Sequence, residues 1–214
     1  MKNVEKLYEE LKRRYIEDER FAKMLAKKNI TILMDFLSNW ENVQRFNRYY
    51  YGKMIPKVVL CGINPGRFGA GKTGVPFMDF AILSKLIDGI ESKESERSAQ
   101  FFAKIVQKVG PERFYRLFYV TNISWVGFMK DGRNLNFYDL PKDAQKFVYE
   151  QFLFEMEYVR PERIIALGRN VQKTIKEILA IEPDYLPHPN FCQFPSKEVE
   201  CEKRYFALFS KYML

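Results

Sequence analysis

VVLCGINPGRFGAGKTGVPFMDF, residues 58–80, decides the fold. Its first six residues, Val58-Val59-Leu60-Cys61-Gly62-Ile63, are an apolar run of the kind found in a strand covered on both faces of a parallel sheet. The run breaks into Asn64-Pro65-Gly66 and a glycine-rich loop. At the carboxyl end of a parallel strand, such a loop is where open α/β sheets hold their ligands. Asn64 is the polar side chain delivered there, and Pro65 stiffens it by keeping the preceding backbone out of the helical region. Gly66 lets the main chain pass close to a bound group, since no Cβ stands in the way.

Residues 66–73, GRFGAGKT, also satisfy the phosphate-binding pattern GxxxxGK[ST]. A working loop of that kind runs straight into a helix whose N-terminus holds the phosphates. Here Lys72-Thr73 are followed by Gly74-Val75-Pro76, and the residue before a proline is pushed out of helical dihedrals. The next helix is therefore expected only around residues 77–80, too late for phosphates seated by Lys72. The strand expected over 163–168 ends in Gly168-Arg169-Asn170 and offers no aspartate for magnesium. A nucleotide-binding enzyme using residues 66–73 stays as an alternative, to be tested by magnesium-dependent nucleotide binding.

The same stretch resembles the first motif of the uracil-DNA glycosylase superfamily. It is most similar to the single-strand-selective monofunctional branch, whose loop reads GMNPGPFG followed by TGVPF. Residues 62–69, GINPGRFG, and 73–77, TGVPF, reproduce that pattern, with Ile63 and Arg67 as the local changes. Further on, Val120-Thr121-Asn122-Ile123-Ser124 stands where the family carries a base-reading asparagine. Leu186-Pro187-His188-Pro189-Asn190 is similar to its histidine loop, and residues 163–169 to its penultimate strand. After His188-Pro189, however, the family's Ser-Pro-Arg-Asn-Pro is replaced by Asn190-Phe191-Cys192-Gln193-Phe194-Pro195. In the family that loop grips the DNA backbone and wedges into the gap left by a flipped nucleotide. Phe191, Gln193 and Phe194 are the wedge candidates here, since apolar side chains can enter a base step.

The resemblance implies a division of labour. Asn64 would position the attacking water, although an amide cannot act as a general base at neutral pH. His188, the chain's single histidine, would hydrogen-bond the base O2 where negative charge develops. Ile63 would contact the base, Phe77 would stack on it, and Asn122 would offer donor and acceptor to its O4 and N3–H edge. Gly66 would leave room near the base C5. Asn190 would meet the DNA, and Arg67 and Lys72 are read either as phosphate contacts or as simply solvated cations. No lysine stands in a recognisable Schiff-base position, so hydrolysis without strand cleavage is expected. A binding module that kept the fold and lost the chemistry through its altered 190–195 loop is a third reading.

Composition agrees with a polyanion partner. The chain has 214 residues, with 35 Lys and Arg against 27 Asp and Glu, a formal charge of +8. That sign favours DNA through phosphate neutralisation and counterion release. Three cysteines, at 61, 192 and 201, do not fit a zinc pattern, an iron–sulfur cluster or a disulfide framework. A lone histidine excludes a two-histidine metal site. The expectation is a metal-independent enzyme with no cofactor, acting as a monomer on DNA. With no signal-peptide core and no long apolar segment, a cytoplasmic protein with no membrane partner is expected.

The expected architecture is α/β: a three-layer α/β/α domain spanning residues 1–214, with 1–50 as an N-terminal helical extension packed on it. Helical spacing is read over 2–28 and 30–49. Arg45, Arg48, Tyr49, Tyr50, Tyr51 and Lys53 interleave cations with aromatics, either as a strand-binding surface or as an ordinary helix end. Strands are expected over 58–63, 114–122, 163–168 and 181–186. Helices are expected over 79–90, 98–109, 141–159 and 170–180, with a final one capped by Ser196 and running to 212. A charged loop covers 91–97. Strands alternating with helices imply a parallel sheet, and the resemblance implies four strands in the order 2-1-3-4.

Overall fold

The apolar runs of the sequence meet edge to edge in the middle of the molecule. The computed structural model describes residues 3–91 and 96–213, so most of the expected loop over 91–97 lies outside the described residues. The chain opens with α1 (Val4–Lys12), a π-helical turn (Arg13–Glu17) and α2 (Glu19–Ala26). Strand β1 (Ile30–Ile32), a 3-10 turn (Asp35–Asn39) and α3 (Trp40–Tyr51) lead to β2 (Val58–Gly62). Next come α4 (Ala70–Thr73), α5 (Phe80–Leu86), α6 (Arg97–Val109), α7 (Pro111–Leu117) and β3 (Phe118–Asn122). The hairpin β4 (Phe128–Lys130) and β5 (Arg133–Leu135) precedes α8 (Lys142–Val159). Then follow β6 (Arg163–Leu167), α9 (Arg169–Leu179), β7 (Asp184–Leu186), α10 (Pro189–Cys192) and α11 (Pro195–Phe209).

The main sheet is parallel, in the order β3-β2-β6-β7. This is the expected order of the four core strands. Val59, Leu60 and Cys61 at its centre are fully buried, which requires cover on both faces and explains why β2 reads as unbroken apolar sequence. Helices supply that cover and complete the three layers. Register is in step across the centre: Val58 stands opposite Phe118 on one side and Arg163 on the other. The carboxyl ends of β2 and β3 therefore finish side by side, at Gly62 and Asn122.

Several elements differ from the sequence expectation, each for a local reason. The helix expected over 2–28 is interrupted at Asp18, whose extended backbone ends one helix and whose carboxylate caps the next through Arg20 N. Residues 30–32, expected to be helical, form β1 of a second, antiparallel sheet, β1-β4-β5. Asn29, in the left-handed region at φ 55°, turns the chain into it. The strand expected over 114–122 begins only at Phe118, because Pro111 opens helix α7 and its apolar residues Phe114 and Tyr115 are buried as helix. Ser196 does not cap the last helix. Phe194 occupies that position, with Pro195 in the first turn.

The cation–aromatic stretch of α3 serves the fold. Arg48 donates to Glu5 Oε1 at 2.8 and 3.1 Å, and Arg45 donates to Asn42 and to the Asp88 carbonyl. Tyr51 is buried and its hydroxyl donates to the Phe118 carbonyl. These bonds tie α1 and α3 to each other and to the sheet. Among the described residues, no helix is long and apolar enough to cross a membrane.

Beneath the sheet, α8 carries a buried acid. Glu155 of α8 accepts hydrogen bonds from the Tyr119 hydroxyl at 2.8 Å and the Thr121 hydroxyl at 2.7 Å, and burial pushes its pKa up to about 7. Because the folded pKa is the higher one, its contribution is full below about 4.5 and is lost as pH rises through 7. Glu155→Gln keeps the acceptor and removes the charge. Chemical denaturation of both proteins should show the variant gaining on the parent from pH 6 to pH 9, by about 1.4 kcal/mol. A constant difference across that range would contradict the assignment.

Candidate active site

The carboxyl ends of three strands converge on one cavity of about 480 Å³. From beyond β2 come Ile63, Asn64 and Gly66; from β3, Asn122; from beyond β7, His188 and Asn190; and Phe77 closes one side. A wider groove of about 860 Å³ opens at the amino ends of β6 and β7, beside Arg163 and Asp184. It is rimmed by Glu157, Glu162, Glu182 and Asp184, a poor surface for phosphate, and none of the candidate residues reaches it.

Asn64 is held by backbone on both sides of its carboxamide. Nδ2 donates to the Leu135 and Pro65 carbonyls, each at 3.3 Å, and Oδ1 accepts from Phe137 N at 3.0 Å. The hairpin missed in the sequence thus fixes the amide orientation, since Leu135 ends β5. An amide oxygen has two lone pairs, so Oδ1 keeps one acceptor site for a water molecule.

His188 is the N-cap of α10, and its Nδ1 accepts from Asn190 N at 3.1 Å. That bond assigns the proton of the neutral ring to Nε2, leaving a donor. Burial pulls the pKa down to about 4, so the imidazole is neutral at physiological pH.

Phe77 is not in a helix. Its backbone is in the left-handed region at φ 58°, strained for a residue with a side chain. Its ring stacks on Phe102, with centroids 4.9 Å apart and planes at 25°, and lies 5.9 Å from the His188 ring. Asn122, the last residue of β3, is buried and lines the cavity.

Gly62 is a residue beside the site to which the sequence reading gave no role. A Cβ there would collide with Asn122 Oδ1 and come within 2.5 Å of Phe77 Cζ. Its position inside a strand, where glycine marks close approach, was the available signal. Glu96 is another: its carboxylate lies against Gly66 and Gly69 and lines the cavity. Buried in a run of surface-like charge, it gave no sequence signal. Asn134 and Asn136 complete the polar wall from the same missed hairpin.

The expected DNA contacts lie outside the cavity, Asn190 excepted. Arg67 donates to the Gly132 carbonyl, and its guanidinium stands over the Phe68 ring at 4.5 Å. Lys72 Nζ lies 5.9 Å from that ring, and Phe68 is exposed. Phe191 and Phe194 are exposed, while Gln193 folds back onto Asn190. The phosphate-loop reading fails at Thr73: it is fully buried and its hydroxyl donates to the Met78 carbonyl. The single turn of α4 then ends at Gly74 (φ 74°) without continuing as a helix.

The profile of the uracil DNA glycosylase superfamily matches residues 49–211. The crystal structure of wild-type SMUG2 from Pedobacter heparinus is similar over 86% of this chain and 88% of that one, with a TM-score of 0.74 and 25% sequence identity. The family match covers well over half of the chain, and the protein belongs to the uracil DNA glycosylase superfamily.

Proposed function

We propose that the protein is a monofunctional DNA glycosylase that hydrolyses the N-glycosidic bond of uracil in DNA, extending to 5-substituted uracil or xanthine. It leaves an abasic site for base excision repair, works as a monomer and needs no metal. The observation that carries this reading is the meeting of Asn64, Phe77, Asn122 and His188 around one cavity from three strand ends.

The chemistry follows from their geometry. Extruding the nucleotide costs a few kcal/mol, less for a mismatched or unpaired base. Stacking on Phe77, supported from behind by Phe102, returns about 1–3 kcal/mol, and Ile63 packs on the same base. Asn122 reads the base edge, the neutral His188 donates Nε2–H to O2 as the bond breaks, and Asn64 Oδ1 aligns the water. A neutral donor suits an oxygen that becomes negative only in the transition state. Arg67 and Lys72 neutralise phosphate, and the exposed Phe191 is the wedge, with Gln193 beside it.

Alkali-revealed strand breaks on uracil-containing single and double strands, in EDTA, test the reading. His188→Ala should lower the single-turnover rate about 10²–10³-fold with little change in DNA affinity, and Asn64→Ala should lower it as well. Equal rates for parent and both variants would contradict the roles. Gly62→Ala should displace Asn122 and Phe77, cost the fold about 1–3 kcal/mol and suppress excision more than binding; full activity in that variant would show that the pair is not in use.

The His188 ring should titrate near pH 4 by NMR. Its depressed pKa means that the unfolded chain takes up a proton between pH 6.5 and 4 which the folded one refuses, so this group weakens the fold as pH falls through that window. A ring titrating at 6.5 would mean a solvated imidazole.

A further inference from the structure

Hydrolysis leaves one proton without a destination in the account above. As the water oxygen bonds to C1′ and the C1′–N1 bond breaks, the electron pair leaves with the base and the water must lose a proton. Asn64 cannot take it, because a neutral amide is not a base near pH 7 and its Oδ1 already accepts from Phe137 N. His188 cannot take it at Nδ1, which is occupied by Asn190 N–H, and its Nε2 carries the donor hydrogen. Among the described residues lining the cavity, only one further side chain ionises, and it is Glu96.

Glu96 is built into the site. Its backbone N–H donates to the Asp79 carboxylate at 2.6 Å, and Asp79 is itself fully buried as the N-cap of α5. The Glu96 carboxylate lies across the turn of the motif loop: a Cβ on Gly69 would collide with Oε2, and one on Gly66 would stand 3.2 Å from Oε1. The space that these two glycines leave is thus filled by a carboxylate facing the cavity that also holds Asn64 and His188.

We propose that Glu96 is a catalytic residue of this site, the proton acceptor for the water aligned by Asn64. The water's proton passes to the carboxylate as the C1′–O bond forms, and from there to the released base anion or to solvent. This rests on the glycosylase reading and deepens it. The groups around the carboxylate are Asp79 at the cap of α5, Ser98 on α6, Asn134 on β5 and, across the same cavity, His188 beyond β7. Burial first, and then the charge of Asp79, raise the Glu96 pKa, while a hydrogen bond with Ser98 opposes them. A carboxylate moved toward neutrality is better matched to accept a proton at working pH.

The test is the single-turnover rate on a uracil-containing single strand from pH 4.5 to 9, with oligonucleotide affinity measured in parallel. The parent should lose rate at the acidic end as Glu96 protonates. Glu96→Gln should lower the rate about 10²-fold, keep affinity and abolish that acidic limb, and Glu96→Asp should restore part of both. Ser98→Ala, which leaves the carboxylate in place and removes the hydrogen bond that lowers its pKa, should shift the limb to higher pH. An active parent whose Glu96→Gln variant keeps its rate and pH profile overturns the proposal and leaves the glycosylase reading standing. So does a Ser98→Ala limb that does not move, should Glu96→Gln fail to fold. A parent that releases no base from any substrate removes the glycosylase reading, and this proposal with it.

Discussion

The Asn64 carboxamide, clamped between the Leu135 carbonyl and Phe137 N, is the constraint on which the rest of the site depends. The central parallel strand only delivers the residue to the end of the sheet. The short hairpin β4–β5 and the turn after it decide which way the amide faces, and therefore where an acceptor is presented to water. Around that fixed point the other groups fall into place by strand register. Gly62 stands opposite Asn122, so a residue with no side chain lets the Asn122 amide and the Phe77 ring come close to the strand end.

Strain is concentrated where the substrate would lie. Phe77 holds a positive φ, a conformation that costs about 1–3 kcal/mol for a residue with a side chain. It persists because Phe102 stacks on the ring and Gly62 leaves room at its edge. Buried ionisable groups are a second cost: Glu155 under the sheet and Glu96 at the cavity are both pushed toward their neutral forms by burial. The first has two hydroxyl partners in the core, whereas the second faces open space. That contrast separates an acid built into the fold from one available to a reaction.

Three of the four core strands were legible as apolar runs, whereas the fourth, Asp184-Tyr185-Leu186, is not one; the strand order, expected from the family resemblance alone, is the observed one. The motif loop was legible because glycine, proline and asparagine have narrow physical roles. What escaped was structure without a periodic signature. Residues 30–32 look like the continuation of a helix, and only their pairing with residues 128–130 makes them a strand. Phe114 and Tyr115 are apolar enough to continue a strand and are buried as helix instead. Glu96 sits in a run of charge that reads as solvated surface; its burial depends on where the motif loop folds back, which no local pattern records.

The measurement closest to the central claim is chromatography of the base liberated from a single-stranded oligonucleotide carrying one uracil, with EDTA present. The account predicts free uracil in amounts equal to the abasic sites formed, on a strand that stays intact until alkali is added. Strand scission without alkali, or no free uracil while a reference glycosylase releases it under the same conditions, would contradict it.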